Sequence, residues 1–188
     1  MSEPRVPMLS LEESAAAAER AGVLAQFSEL SVFRVLLRQP KLAKAVSELL
    51  LSLLVGRHLE PRLRELIIMR LGWVTRSEYE WTQHWPIALQ NGLTEDEVLA
   101  VRDWRGAAAL GDRDRAVLAA TDEVLADGAI SAATWSRCEA FLEGHEALLE
   151  LVGAIGTWQM ISSLLRSLEI PLEDGVAPWP PDGRAGEA

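Results

Sequence analysis

The chain is 188 residues long, 49% hydrophobic and 24% charged, enough for one folded domain that buries about two-thirds of the surface its unfolded chain exposes. That balance argues against intrinsic disorder, because the apolar surface available for burial offsets the ordering entropy. With 28 acidic residues against 18 basic ones, the formal net charge of −10 repels phosphate backbones and anionic lipid, so no nucleic-acid or membrane partner is expected, and small molecules and protein partners remain.

Helical punctuation runs along the chain. Ser10 followed three residues later by Glu13 forms a capping box for an Ala-rich helix through about Ala21, and Gly22 stops it. Ser31 to Leu37 predicts a shorter helix, and Pro40 opens a strongly apolar one to about Val55, ended by Gly56. Residues up to about 39 read as a helical arm. Pro61 opens PRLRELIIMRLGWVTR, where Leu63, Leu66, Ile67 and Leu71 recur at helical spacing, the pattern of a core helix.

Ser77 is the expected N-cap of the next helix, with Glu78 and Glu80 in its first turns and a stop at Asn91-Gly92, and Pro86 predicts a kink or a restart inside it. Thr94 with Glu97 caps a short helix to about Trp104. Asp112 opens a helix through Leu125, Ser131 another through Leu142, and Glu146 a long apolar one through Leu168 before Pro171. From Glu173 onward the chain is dense in Pro and Gly and reads as a loop or mobile tail that Trp179 can dock. Strand-like alternation is nearly absent. The expectation is an all-α, compact multi-helix bundle over residues 1–172 with a tail over 173–188.

No uninterrupted apolar run approaches the roughly 20 residues of a membrane span, and MSEPRVPM lacks the basic and apolar regions of a signal peptide. The single cysteine, Cys138, cannot form an intramolecular disulfide, which fits a reducing cytoplasm.

The chemistry concentrates in Ser77-Glu78-Tyr79-Glu80-Trp81-Thr82-Gln83-His84. On a helix, Ser77, Glu80 and His84 share one face, and a carboxylate four residues before an imidazole can accept its N–H, fix its tautomer and raise its pKa. Tyr79, Trp81 and Trp85 can wall a partly apolar pocket or serve as core. Glu65 lies on the apolar helix before them, where burial is costly without a donor; His84 or Arg70 can be that donor, as can a surface pairing with Arg62, Arg64 or Arg70. Trp158, in GAIGTWQMISSLL, can reach the same cleft or pack in the core. No Walker loop, GxGxxG, HExxH, CxxC or GxSxG pattern is present.

The run Pro61-Arg62-Leu63-Arg64-Glu65-Leu66, then Tyr79-Glu80-Trp81 and His84, then Ala88 and Gly92-Leu93-Thr94, resembles the carboxymuconolactone decarboxylase family of the alkylhydroperoxidase-like superfold. The resemblance extends more loosely to Glu150-Leu151-Val152-Gly153 and Ile170-Pro171-Leu172. It implies an all-α fold, a homo-oligomer (dimer, trimer or hexamer) and a pocket on the Tyr-Glu-Trp-x-x-His helix. The family's thiol-dependent branch has a Glu, two cysteines three apart and a His; carried over by the resemblance these fall on Glu65, Ser77, Glu80 and His84, so both redox thiols are missing and a disulfide-relay peroxidase is not expected.

What remains suits the decarboxylase side of the family, whose type reaction removes carbon dioxide from an unsaturated lactone acid without an organic cofactor. In this expectation the catalytic residues are His84, which moves the proton, Glu80, which orients and polarises it, and Glu65, which supports them from behind or serves as a second proton group, while Ser77, Tyr79, Trp81 and Trp158 hold a small-molecule substrate. Other acid–base reactions on a cyclic metabolite (isomerisation, dehydration, hydrolysis), a metal site on Glu65, Glu80 and His84, and a non-catalytic member of the family stay open beside it.

Overall fold

The computed structural model describes residues 4–56 and 58–186, and among them there are helices and no strand. In chain order these are α1 (Leu11–Ala21), α2 (Ala25–Ser28), α3 (Ser31–Leu36), α4 (Pro40–Val55), α5 (Pro61–Val74), α6 (Glu78–Gln90), α7 (Glu95–Ala100), a 3-10 turn (Val101–Asp103), α8 (Asp112–Asp127), α9 (Ala132–Phe141) and α10 (Gly144–Ser167). Both capping boxes form, Ser10 with Glu13 and Thr94 with Glu97, and Gly22 ends α1 with φ 70°. Helix α2 is only four residues long, too short to leave a periodicity in the sequence.

The chain divides into two compact units, one made of the residues up to Val55 with Ser163–Val176, the other of Gly56–Ser162 with the chain from Ala177. The first has its own core, where Phe27 and Phe33 stack at 4.7 Å and Ala17, Ala18, Val32 and Leu36 are buried. Within it, Ser14 Oγ donates to Ser28 O at 2.8 Å, and Arg5 N donates to Leu168 O at 2.8 Å.

The second unit is built on α5, whose Leu63, Leu66, Ile67, Ile68, Met69 and Leu71 are fully buried on all sides. It packs against α6 on one side and α8 on another. Its arginines take three separate destinations. Arg62 pairs with Asp114 at 2.6 Å and with Glu97, Arg70 pairs with Asp122 at 2.6 Å, and Arg64 turns to its neighbour Glu65. Arg70 also donates to the carbonyls of Val101 and Arg102 at 2.8 and 3.0 Å. The helix expected to reach Trp104 ends at Ala100 and tightens there into the 3-10 turn.

Helix α6 runs from Glu78 to Gln90 without a break at Pro86. The proline ring is exposed, while Trp81, Trp85 and Ala88 are buried, so packing holds the helix across the one lost N–H. Helix α10, at 24 residues, is long and apolar enough to cross a membrane by length and composition alone, with half of the apolar window buried inside the protein. Glu146, Glu150 and Gln159 interrupt the apolar run, so a count of consecutive apolar residues does not reveal it.

The tail is docked. Trp179 is buried against Trp73 and Trp81, its backbone N–H donates to Thr82 Oγ1 at 3.1 Å, and Trp81 Nε1 donates to Pro180 O at 2.7 Å. Arg102 lies over the rings of Trp73 and Trp81 at 4.6 and 4.9 Å and grips Asp182 with two bonds of 2.6 and 2.9 Å.

The α5–α6 approach depends on Gly72, where an added Cβ would meet Trp81 N at 3.1 Å and Glu80 Cβ at 3.4 Å. Gly72→Ala is expected to cost about 1–3 kcal/mol in urea unfolding, because α6 backbone must move aside. Gly106→Ala, where a Cβ meets nothing within 4 Å, should change stability by less than about 0.5 kcal/mol.

Candidate active site

Glu65 sits midway along α5, fully buried among Leu66, Ile67 and Ile68. An isolated carboxylate there would cost several kcal/mol, so its partners decide whether it can stay charged. Oε1 accepts from Arg64 Nε and Nη2, both at 3.2 Å, and Oε2 lies 2.8 Å from His84 Nδ1. Of the donors open to Glu65 from the sequence, the fold uses Arg64 and His84; Arg62 and Arg70 are spent elsewhere.

His84 and Glu80 lie one turn apart on α6, with Glu80 Oε2 3.5 Å from His84 Nε2. Their shared face is the one the spacing implies, but the closer bond to the ring comes from Glu65, so it is Glu65 that orients the imidazole. On the far side, Trp158 of α10 donates its indole N–H to His84 Nε2 at 3.3 Å, with ring centroids 5.9 Å apart and planes at 83°. The side chain of Glu65 is 0% exposed, that of Glu80 4%, and that of His84 12%. His84 is thus the most exposed member of the set.

The remaining sequence-predicted residues divide. Ser77 is the N-cap residue of α6, but its hydroxyl makes no capping bond and is buried without a hydrogen-bond partner. Tyr79 is buried. Trp81 is drawn into the tryptophan cluster that holds the tail, with Trp73, Trp85 and Trp179 at centroid distances of 5.3, 5.9 and 6.1 Å. Arg64 joins the set although the sequence singles it out only as one of three alternatives. Cys138 is buried on α9 with its Sγ 3.6 Å from Ala116 O, and burial pushes its thiol up to about 11, which leaves it an inert packing group. Among the described residues, no group of three or more His, Cys, Asp or Glu is arranged to hold a metal ion.

The electrostatics follow from who has donors. Burial pushes the Glu80 carboxyl up to about 7; His84 pulls against this and the Glu65 charge adds to it. Burial alone would depress His84, but the Glu65 charge, the hydrogen bond to it and the Glu80 charge together hold the imidazole above its ordinary 6.5. Between a pH of about 4.5, where an unfolded glutamate titrates, and about 7, the folded protein keeps a proton on Glu80 that the unfolded chain loses. His84 acts with the same sign from 6.5 upward. Stability from this cluster is therefore present in mild acid and lost as pH rises. Wild type should lose about 2–3 kcal/mol through Glu80 between pH 5 and 8 in urea unfolding, and Glu80→Gln should flatten most of that slope.

The carboxymuconolactone decarboxylase family profile matches residues 40–123, which hold Glu65, Glu80 and His84. Among solved structures, the chain is similar to an alkylhydroperoxidase AhpD core, an uncharacterized peroxidase-related protein from Ralstonia eutropha JMP134, at 16% identity and TM-score 0.74 over 95% of this chain and 99% of that one. A peroxidase-related protein from Silicibacter sp. TM1040 gives 15% identity and TM-score 0.73 over 94% and 97%. A cysteine-to-alanine variant of the debrominase Bmp8 in complex with 2,3,4-tribromopyrrole gives 18% identity and TM-score 0.71 over 90% and 91%. A comparison with curated protein sequences finds no match. At these identities the solved structures speak for the fold, an alkylhydroperoxidase-like all-α one. The profile match covers residues 40–123 with the acid–base residues inside it, so this part of the chain is similar to the carboxymuconolactone decarboxylase family, and the chain's single cysteine is buried on α9.

Proposed function

We propose that this protein is a cofactor-independent lyase of the carboxymuconolactone decarboxylase type, acting by acid–base chemistry on a small unsaturated cyclic acid or lactone. The observation that carries the reading is geometric: the buried Glu80 carboxyl lies 3.5 Å from an imidazole that Glu65 anchors at 2.8 Å, and burial pushes that carboxyl up to about 7. Glu65 orients, Glu80 supplies the proton and His84 delivers it. With Glu80 neutral and Glu65 balanced by Arg64, the site does not repel an anionic acid. As the C–C bond to the substrate carboxylate breaks, carbon dioxide departs and the electron pair of that bond enters the conjugated ring as a dienolate. The proton from the Glu80–His84 pair then lands on substrate carbon or oxygen, and solvent restores it.

Trp158, which touches His84, fits the wall of such a pocket, and Ser77, with its unspent hydroxyl, fits a contact to a polar substrate group. A second reading, an isomerase, dehydratase or hydrolase on another cyclic metabolite, draws on the Bmp8 likeness, since that debrominase is seen with a brominated pyrrole. A soluble, cytoplasmic homo-oligomer belongs to the proposal as well. Leu149, Val152 and Met160 form an apolar stripe on α10 and are 72%, 43% and 38% exposed, as a subunit interface would leave them in a single chain.

Ultraviolet-monitored turnover of a carboxymuconolactone-type acid, with carbon dioxide release measured in parallel, tests the reaction. Wild type should turn over, while His84→Ala and Glu80→Gln should lose about 10²-fold or more; full activity in His84→Ala would remove the assignment. Light scattering at micromolar concentration should give a multiple of 20.7 kDa, and a monomer would remove the oligomer.

A further inference from the structure

Both ring nitrogens of His84 are engaged, and by partners of different kinds. Nδ1 faces the Glu65 carboxylate at 2.8 Å, an acceptor, whereas Nε2 receives the indole N–H of Trp158 at 3.3 Å, a group that can only donate. A donor aimed at Nε2 needs a lone pair there, so the ring proton belongs on Nδ1. Glu80 approaches the same Nε2 at 3.5 Å. It can share that lone pair only while it carries a proton; once ionised, it needs an N–H on Nε2 instead.

Two arrangements are therefore in competition. In one, the proton is on Glu80, the ring is neutral and the indole bond is intact. In the other, the proton is on Nε2, Glu80 is ionised, and two N–H groups face each other across 3.3 Å. Trp158 is 2% exposed and its neighbours Ala154, Ile155 and Ile161 are buried apolar residues, so solvent is poorly placed to satisfy an indole N–H that loses the ring. The charged groups facing the imidazole are Glu65 and Arg64 from α5 and Glu80 from α6, while α10 presents the uncharged indole.

We propose that Trp158 is a positioning residue whose indole N–H holds His84 in the Nδ1–H tautomer and keeps the shared proton on Glu80. The two carboxylates draw the proton toward the ring, and the indole opposes them; the balance leaves Glu80 as the stored acid and His84 as the group ready to carry it. Its meaning for catalysis rests on the acid–base reading above, but the protonation state itself does not.

The experiment uses the whole protein labelled with ¹⁵N-histidine, compared with Trp158→Phe and with 3-benzothienylalanine at position 158, which keeps the bicyclic shape and replaces N–H by sulfur. In wild type, the His84 nitrogens should report a protonated Nδ1 and an unprotonated Nε2 above the titration. In both replacements the His84 titration should move up by about half to one pH unit, and the cationic fraction at pH 7 should rise. A wild-type ring protonated at Nε2, or a titration unmoved by the isostere, would overturn the proposal. If Trp158→Phe fails to fold, the isostere decides alone. Because no substrate is present, a failed acid–base reading shows up in the His84→Ala turnover and a failed tautomer assignment in these spectra.

Discussion

The bond between His84 Nδ1 and Glu65 Oε2 is the interaction on which the rest of the second unit is arranged. A carboxylate placed on a helix that is apolar all round cannot be left alone, since removing a partner from a buried charge costs about 3–5 kcal/mol. Arg64 and the imidazole satisfy both oxygens of Glu65. Having taken those donors, Glu65 leaves Glu80 with burial and a neighbouring negative charge, the two influences that keep a carboxyl protonated. The chemistry proposed for the site thus comes from an unequal division of hydrogen-bond donors between two glutamates.

That division requires α5 and α6 to lie close, and the sequence meets the requirement with a missing side chain. Gly72 lets the first turns of α6 come within contact of the α5 backbone, which brings Glu80 and His84 to the level of Glu65. The ion pairs of Arg62 and Arg70 fix the same helix from its other sides. They also keep two competing cations away from Glu65.

Much of this arrangement was legible in the sequence. Capping boxes at Ser10 and Thr94 depend on residues three apart, and both form. The Glu80–His84 face follows from helical spacing alone. Less visible was the orienting role of Glu65, which depends on the distance between two helices, a quantity no one-dimensional pattern contains. The Arg64 partnership was harder still: adjacent helical residues do not face each other, and only the length of the arginine side chain lets it fold back on Glu65. Ser77 reads as a cap from its type and position, yet its backbone leaves the hydroxyl unused. Trp81 and Trp158 look alike in the sequence as aromatics on apolar helices; one went to the tail and the other to the imidazole, because tertiary packing chose between equivalent surfaces.

The clustering of tryptophans around the docked tail has an optical consequence. Of the seven indoles, Trp73, Trp81, Trp85 and Trp179 form one contiguous group, with a guanidinium over two of its rings, while Trp158 stands beside His84. Energy absorbed by any of the four can pass to the others at such separations, so emission from this group responds to whether the segment around Trp179 is seated, beside the separate contributions of Trp104 and Trp135. The component from Trp158 responds to the protonation of the histidine it touches.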